Sequence, residues 1–357
     1  MSHLVVSISG HGFGHVAQTA PVLNRLHTLM PQLRITLRTA VPTAYLRSRI
    51  SAPFEHLPSE GDIGMAMTSA IDVHSAASRA AYRKFHESWD EKVDGEARLL
   101  RELGADMVLS NVGYLSLAGA QRAGIPNAAM CSLNWADIYR HYTGDERIAE
   151  QIHDCYAGAD AFLRVTPGMA MDDLPNLVAI APVAEVGTDR REELDRLIGL
   201  SKEESLVLVS MGGIAGRLPM EHWPNIAGVR WLVQGDWLVS RADTVALESL
   251  PLHFRDLLAS CDALLCKPGY GSFVESACCG TPVLYVDRPD WPETAALTTW
   301  LRQFGSCREI SREQLESGDI GQALSELRSA APVSAPTASG AEEAANWLLR
   351  NFHLPGD

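Results

Sequence analysis

The chain has 357 residues, 46% of them hydrophobic and 21% charged, which is ordinary for a globular protein and long enough for two domains. The net charge of −14 argues against a nucleic-acid partner, although a small anionic ligand senses only its local pocket. Seven cysteines without CxxC spacing indicate a reduced, cytoplasmic setting. No apolar run reaches about 18 residues, so we expect neither a signal peptide nor a membrane span.

Apolar, β-rich runs alternate with helical stretches along the chain, which predicts parallel sheets covered by helices on both faces. In the first half, residues 75–103 are predicted to form one or two helices, and residues 61–68 a flexible loop. The strands predicted in this half are 4–8, 34–39, 53–57, 106–110, 126–131 and 161–165.

A polar stretch over 189–205 separates the two halves, and we place a domain boundary near residue 184. The strands predicted after it are 206–210, 229–234, 262–266 and 283–287. Residues 329–340 are rich in Ala, Pro and Ser, which is typical of a linker, and a final helix follows over 341–351. The predicted organisation is therefore a first domain over 1–183, a second over 184–340, and a C-terminal segment, 341–357, whose helix packs back on the first domain.

Two glycine turns stand where a predicted strand is followed by a helix. The first covers residues 10–15 and contains three glycines and two histidines, and the second covers residues 267–272. A glycine turn at the carboxyl end of a strand lets a ligand approach backbone N–H groups, and the next helix offers its positive N-terminus to an anion. Two such turns predict two α/β domains that face each other over one ligand.

The first turn does not match a dinucleotide site, because its glycines do not fit GxGxxG and no acid ends the second strand. His15 is expected at the start of a helix, whose dipole disfavours the imidazolium and so favours a neutral ring. A neutral histidine at a cleft can act as a general base on a sugar hydroxyl or on water, and His11 is a second candidate. The alternative is that His15 only caps the helix or fills the turn. A zinc site is not expected, since no third ligand lies near.

The second turn combines a phosphate-binding pattern with a helix start. Ser272 and Glu275 fit a capping box, with Ser272 as N-cap and Glu275 at position N3. A carboxylate one turn inside a helix can equally accept hydrogen bonds from ribose hydroxyls. The N–H groups of Gly269, Gly271 and Ser272 can bind a pyrophosphate, to which Lys267 could add charge.

The residues from Phe254 to Glu293 resemble the donor-binding segment of GT-B glycosyltransferases. The shared pattern is an Ala-x-x-Asp element, a strand, a glycine turn, Ser-x-x-Glu, and Gly-x-Pro before another strand. The first turn is similar to the acceptor-side loop of these enzymes, and residues 208–217 to the first glycine turn of their donor domain. Residues 113–114 and Asn134 also resemble sequence positions of the family that transfers N-acetylglucosamine to the peptidoglycan lipid precursor.

The resemblance covers nearly the whole chain and implies two Rossmann-like, doubly wound parallel-sheet domains that face each other across a cleft. It assigns His15 as the general base, with His11 beside it. The residues implied for the donor nucleotide are Gly212, Gly213, Arg217, Phe254, Gly269, Gly271, Ser272 and Glu275. Those implied on the acceptor side are Gly12, Gly14 and Asn134.

The donor-sugar end of the segment departs from the family. Many members have Glu-Gln or Asp-Gln there, whereas this chain has Glu293 followed by Thr294, with Asp290 nearby. The resemblance therefore implies Asp290 and Glu293 as sugar-binding residues but leaves the sugar, the nucleotide base and the acceptor open.

The implied reaction moves a sugar from a nucleotide-diphosphate sugar to the hydroxyl of a small or lipid-linked acceptor. No Asp-x-Asp occurs, so we expect a metal-independent site with no cofactor beyond the co-substrate. Alternatives are a nucleotide-sugar hydrolase, whose GxGHxxR loop the first turn resembles with Gln18 in place of the arginine, and a non-hydrolysing 2-epimerase. A non-catalytic nucleotide-sugar-binding protein is the alternative from another class.

Overall fold

Two parallel β-sheets organise the protein. The computed structural model describes residues 2–213, 217–331 and 333–351. Among these residues, the strands of the first sheet are β1 (His3–Ile8), β2 (Arg34–Thr39), β3 (Glu55–Pro58), β4 (Met107–Asn111), β5 (Asn127–Cys131), β6 (Ala161–Val165) and β7 (Leu177–Ile180). Those of the second are β8 (Ser205–Ser210), β9 (Val229–Val233), β10 (Thr244–Ala246), β11 (Ala263–Cys266), β12 (Val283–Val286) and β13 (Cys307–Ile310).

Helices connect the strands and cover the sheets. In the first half of the described chain they are α1 (Gly14–Leu29), α2 (Thr43–Arg49), α3 (Ser75–His86), α4 (Trp89–Leu103), α5 (Tyr114–Ala123), α6 (Trp135–Thr143) and α7 (Glu146–Ala157). In the second half they are α8 (Arg191–Ile198), α9 (Phe254–Ser260), α10 (Tyr270–Cys279), α11 (Thr294–Phe304), α12 (Arg312–Ser317), α13 (Gly321–Ser329) and α14 (Gly340–Asn351).

The two sheets share one topology. Their strand orders are β3-β2-β1-β4-β5-β6-β7 and β10-β9-β8-β11-β12-β13, and all recorded strand pairs within them are parallel. The second is the 3-2-1-4-5-6 order of a doubly wound sheet, and the first is the same order with a seventh strand added, so the prediction of two α/β parallel-sheet units is confirmed. In such a sheet a ligand binds outside the carboxyl ends of strands one and four, where the strand order reverses.

The sequence located the central strands and missed three strands at sheet edges. β7, β10 and β13 each pair with only one neighbour in their sheet, and β13 exposes two charged side chains. Central strands are buried on both faces and appear as apolar runs, whereas the three missed edge strands are only three or four residues long and partly exposed. β3, also an edge strand, begins two residues later than predicted.

The final helix packs across the first sheet's helices. α14 lies against α1 with its buried side chains Ala344, Ala345 and Leu348, and Arg25 of α1 donates from Nη2 to Glu342 Oε1 at 2.8 Å. The domain boundaries at residues 184 and 341 remain predictions. None of the helices in the described part of the chain is both long and apolar enough to cross a membrane.

Candidate functional site

A cavity of about 720 Å³ lies between the two sheets, and both glycine turns line it. The first turn directly follows β1, and the second directly follows β11, the fourth strand in the order of its own sheet. Each turn therefore lies at the point where the strand order of its sheet reverses, which is where ligands bind in this architecture. A Cβ at Gly271 would lie 3.0 Å from the Ala17 Cβ, so the starts of α10 and α1 approach closely.

His15 is held in a defined orientation inside this cavity. Its side chain is 5% exposed, and its Nδ1 lies 2.8 Å from Asn111 Oδ1 at the end of β4. An amide oxygen only accepts hydrogen bonds, so the proton of the neutral ring is on Nδ1 and Nε2 is free to accept one. Burial lowers the pKa of His15 to about 4, against a smaller raising effect from Asn111.

The structure corrects part of the expectation for His15. The N-cap of α1 is Phe13, which makes no side-chain capping bond, so the interpretation of His15 as a helix cap is wrong. The ring was expected to be neutral because of the helix dipole, whereas burial is the largest cause of its lowered pKa.

His11 has the opposite tautomer. The backbone N–H of Met65 donates to His11 Nδ1 at 3.3 Å, so the proton of the neutral His11 ring is on Nε2. Trp135 meets the His11 ring edge-on at 5.2 Å between centroids, and Trp291 stacks on it at 5.9 Å. Burial, followed by the neighbouring His15, lowers the pKa of His11 to about 3. The first turn thus carries two neutral histidines, one that accepts a proton at Nε2 and one that donates there.

The second turn begins its helix earlier than the sequence predicted. α10 begins at Tyr270 with Gly269 as N-cap and no side-chain cap, so the predicted capping box of Ser272 and Glu275 is wrong. The Tyr270 hydroxyl accepts from the N–H of Val183 at 2.9 Å and donates to the carbonyl of Thr166 at 3.0 Å, which fixes this extra turn.

The start of α10 leaves donors available. Phe273 is the first residue whose N–H bonds back to the N-cap carbonyl, at 3.0 Å from Gly269 O. Within the described residues, the N–H groups of Gly271 and Ser272 and the Ser272 hydroxyl have no hydrogen-bond acceptor. Because these groups face the cavity at a positive helix end, they can bind an anion.

Glu275 is occupied by an ion pair across the cleft. Its carboxylate is paired with Arg49 at the end of α2, and Arg49 Nε also lies 3.5 Å from Glu185 Oε2. The side chain of Glu275 is 3% exposed, and burial raises its pKa while Arg49 opposes that rise. Glu275 therefore has an interdomain partner in place of the predicted cap.

Two further cations face the cavity. Lys267 makes no hydrogen bond or ion pair with any described residue, and its Nζ would lie 3.6 Å from a Cβ at Gly212. Burial, followed by the charge of Arg288, lowers the pKa of Lys267 to about 8. Arg288 donates from Nε to the Ile71 carbonyl at 2.9 Å and lies 4.2 Å from the ring centre of Trp291.

Most of the predicted site residues line the cavity. Those that line it are His11, Gly12, Gly14, His15, Gly212, Gly213, Phe254, Gly269, Gly271, Ser272, Glu275 and Glu293. Residues 214–216, which belong to the predicted first donor-domain turn, lie outside the described residues.

Three predicted residues lie elsewhere. Asn134 is the N-cap of α6, where its side chain accepts from the Asp137 N–H at 2.8 Å. Arg217 donates to Glu221 and to the carbonyl of Trp237, away from the cavity lining. Asp290 is exposed, and its backbone carbonyl accepts from a tyrosine hydroxyl at 2.7 Å.

Sequence reasoning missed Arg49, Asn111 and Ser132. Asn111 ends β4, which pairs with β1, and Ser132 directly follows β5, the next strand in the sheet. Polar residues at the carboxyl ends of neighbouring strands were a usable signal. Arg49 offered none, because it ends a short helix and meets Glu275 only in the folded protein. Among the described residues, no group of three His, Cys, Asp or Glu side chains could hold a metal ion.

No family model matches the chain. A curated relative is L-arabinokinase from Arabidopsis thaliana, which is 24% identical over 357 residues. That match covers 97% of this chain but only 34% of the relative, so the chain spans about a third of that protein's length.

Solved structures similar to the chain are glycosyltransferases and an epimerase. UGT89C1 of Arabidopsis thaliana has a TM-score of 0.59 at 14% identity, with 99% of each chain covered. SnogD from Streptomyces nogalater has 0.56 at 16%, covering 99% of this chain and 100% of its own. A putative UDP-N-acetylglucosamine 2-epimerase from Listeria monocytogenes has 0.57 at 13%, with 99% and 97% covered. The GT-B fold is thereby confirmed, while the likeness to the peptidoglycan N-acetylglucosaminyltransferase family stays a prediction.

Proposed function

We propose that this protein is a glycosyltransferase that moves a sugar from a nucleoside-diphosphate sugar to an acceptor hydroxyl. The observation that carries the proposal is the position of His15, a neutral base with a free Nε2, in one cavity with the unpaired donors of the second turn. One side of this cavity can activate a hydroxyl, and the other can bind and release a diphosphate.

In the proposed reaction, the acceptor oxygen forms a bond to the anomeric carbon while the bond from that carbon to the β-phosphate oxygen breaks. His15 Nε2 takes the acceptor proton, and the nucleoside diphosphate leaves with the bonding electron pair. The Nδ1–H bond to Asn111 orients the ring and stabilises the imidazolium that forms. His11, protonated at Nε2, is a hydrogen-bond donor beside the same acceptor.

Positive charge and N–H groups from the second sheet stabilise the leaving group. Gly271 and Ser272 donate their N–H groups to the diphosphate, and Lys267 supplies a cation beside Gly212. These groups can do the work of a divalent ion, so we propose a metal-independent reaction. Phe254 lies on the cavity wall, where we propose that it contacts the nucleotide base.

The remaining contacts divide between ribose, sugar and acceptor. Glu275 accepts from the ribose hydroxyls through lone pairs that Arg49 leaves open. Glu293 lines the cavity and is the better of the two predicted donor-sugar residues, because Asp290 is exposed and is not among the lining residues. Gly12 and Gly14 leave room for the acceptor beside the histidines.

The first experiment is a thermal-shift screen with UDP, TDP, GDP and their sugars, because a ligand of the folded state raises the melting temperature by mass action. The nucleotide sugar that binds is then incubated with candidate hydroxyl acceptors, and released diphosphate and glycosylated product are measured. His15→Ala should lower turnover about 100- to 10,000-fold and leave diphosphate binding unchanged. His27→Ala is the control, since His27 lies on the same helix outside the cavity. Turnover of His15→Ala near the wild-type rate would reject the proposed base.

A second candidate is nucleotide-sugar processing without an acceptor. The epimerase neighbour favours it, and in hydrolysis His15 would activate water instead of a hydroxyl. Free sugar or an epimerised nucleotide sugar, formed at full rate with no acceptor present, would identify this activity. Binding with no product at all would instead favour a nucleotide-binding role within a larger assembly, as the partial match to a sugar kinase allows.

A further inference from the structure

A continuous chain of buried hydrogen bonds leads from His15 to the second sheet's side of the cleft. His15 Nδ1 lies 2.8 Å from Asn111 Oδ1, and Asn111 Nδ2 donates to Gln18 Oε1 at 3.2 Å. Gln18 Nε2 donates to Ser132 Oγ at 2.7 Å, and Ser132 Oγ donates to Glu293 Oε1 at 2.5 Å. All five side chains are at most 5% exposed.

The far end of the chain fixes the direction of every bond in it. An ionised Glu293 only accepts, so the Ser132 hydroxyl must donate to it and can then accept from an amide N–H group. The same logic orients both amides, so that each presents its oxygen towards His15. The last acceptor, Asn111 Oδ1, requires a proton on His15 Nδ1 and leaves Nε2 unprotonated.

We propose that Glu293 is the anionic end of a relay that holds His15 in its Nδ1–H tautomer and strengthens it as a base. The relay rests on the proposed function and adds three positioning residues behind Asn111, namely Gln18, Ser132 and Glu293. Because Glu293 directly precedes α11 in the second sheet's half, the relay is complete only when the two halves of the molecule are together. The base is therefore held in its working form by contacts from both halves of the molecule.

The polarity of the chain explains how a charge four bonds away reaches the ring. Each donor in a hydrogen-bond chain becomes a better acceptor when its own proton is drawn towards an anion, and burial strengthens the effect. The carboxylate of Glu293 thus raises the electron density on Asn111 Oδ1 and stabilises a protonated His15. The amide of Asn111 on its own carries no charge with which to do so.

The surroundings of the two ends determine their charges. Burial raises the pKa of Glu293, while bonds from Ser132 and Trp291 Nε1, followed by the charges of Lys267 and Arg288, lower it. Beside His15 are the neutral ring of His11 and the Cys131 thiol, whose Sγ lies 3.7 Å from Nδ1 and whose pKa is raised by burial. Two cations therefore lie near the Glu293 end of the relay, whereas the groups beside His15 carry no charge.

The test is the tautomer of His15, measured on the intact protein by long-range proton–nitrogen correlation NMR. The wild type should show the Nδ1–H form, and Ser132→Ala should shift the ring towards the Nε2–H form because the chain is cut between Gln18 and Glu293. Turnover of Ser132→Ala should fall about tenfold through kcat, with its acidic limb at lower pH. Ser132→Thr should restore both. Ser276→Ala is the matched control, because the buried Ser276 hydroxyl has no partner among the described residues.

An Nε2–H tautomer in the wild type, or an unchanged tautomer population in Ser132→Ala, would overturn the relay. If Ser132→Ala does not fold, Gln18→Met cuts the same chain with an apolar side chain of similar length, and the same outcomes apply. The tautomer is measured without substrate. A protein that never transfers a sugar can therefore still support the relay, and an active protein can still refute it.

Discussion

The two glycine turns both lie where the strand order of a sheet reverses, one after the first strand and the other after the fourth, but they differ in how many partners their side chains have. In the first turn, His11 and His15 both have protein partners, and His15 is buried while His11 is half-buried. In the second, Lys267 and Ser272 have no partner among the described residues, although both face the cavity. Polar groups that already have hydrogen-bond partners in the protein are held in place before any ligand binds. Polar groups without a partner gain one only when a ligand binds to them. This contrast supports our proposal that the first turn takes part in the chemistry and the second in binding.

The largest effect should come from Arg49, the cation that pairs with the buried Glu275 carboxylate in α10. Arg49→Met leaves Glu275 as a buried carboxylate with no cation on it, and breaking a buried pair in this way costs about 3–5 kcal/mol. Chemical denaturation measures the loss. Arg34→Met is the control, because the Arg34–Glu55 pair is about half-exposed and should contribute at most about 1 kcal/mol. Equal losses in both variants would contradict the interpretation of Glu275 as a buried interdomain anchor.

The first turn should make the protein sensitive to acid. Burial lowers the pKa of His15 to about 4 and of His11 to about 3, so the unfolded chain binds more protons between those values and pH 6.5. The histidines therefore destabilise the fold as the pH falls below 6.5, by about 2 kcal/mol each between pH 6.5 and 5.

The variant His11→Gln isolates this contribution. Denaturation curves measured across that pH range give the free energy of unfolding at each pH. For His11→Gln this free energy should fall less steeply with decreasing pH than for the wild type, by the slope that corresponds to one proton. Comparing the two proteins cancels the opposing effect of the buried carboxylates, whose pKa values are raised. Parallel pH profiles for the two proteins would show that His11 titrates normally and is not buried as described.

Lys267→Met should separate binding from folding. Removing a charge-assisted contact to the diphosphate should weaken nucleotide affinity about 10- to 100-fold, as calorimetric titration measures. Folding stability should stay level or rise, because a desolvated, unpaired ammonium costs free energy that a methionine does not. Lys202→Met changes an exposed lysine and should alter neither quantity. An unchanged diphosphate affinity in Lys267→Met would mean that the second turn does not bind phosphate.

The contrast between the turns also marks what the sequence could predict. The glycines and their position after apolar strands predicted both turns, because local backbone geometry follows local sequence. The sequence did not predict which side chains would contact each other across the cleft. Arg49 contacts Glu275 over a separation of 226 residues, and Ser132 contacts Glu293 over 161 residues. Such contacts depend on how two sheets face each other, which no spacing along the chain encodes. The capping box failed for the same reason, since the Tyr270 hydroxyl bonds to Val183 and Thr166, which lie 87 and 104 residues away along the chain.

The smallest predicted effect is a pH dependence of the diphosphate affinity, caused by Lys267 of the second turn. Burial lowers the pKa of Lys267 to about 8, and a bound diphosphate would raise it again by supplying negative charge. The lysine's contribution to affinity is thus complete below pH 8 and is lost as the pH rises through 8, by at most about tenfold per pH unit. The histidines of the first turn stay neutral throughout this range and add nothing to the slope. Calorimetric titration from pH 7 to 10 should show the weakening in the wild type and a flat profile in Lys267→Met. A wild-type affinity that stays constant to pH 10 would mean that Lys267 is already paired when the ligand arrives.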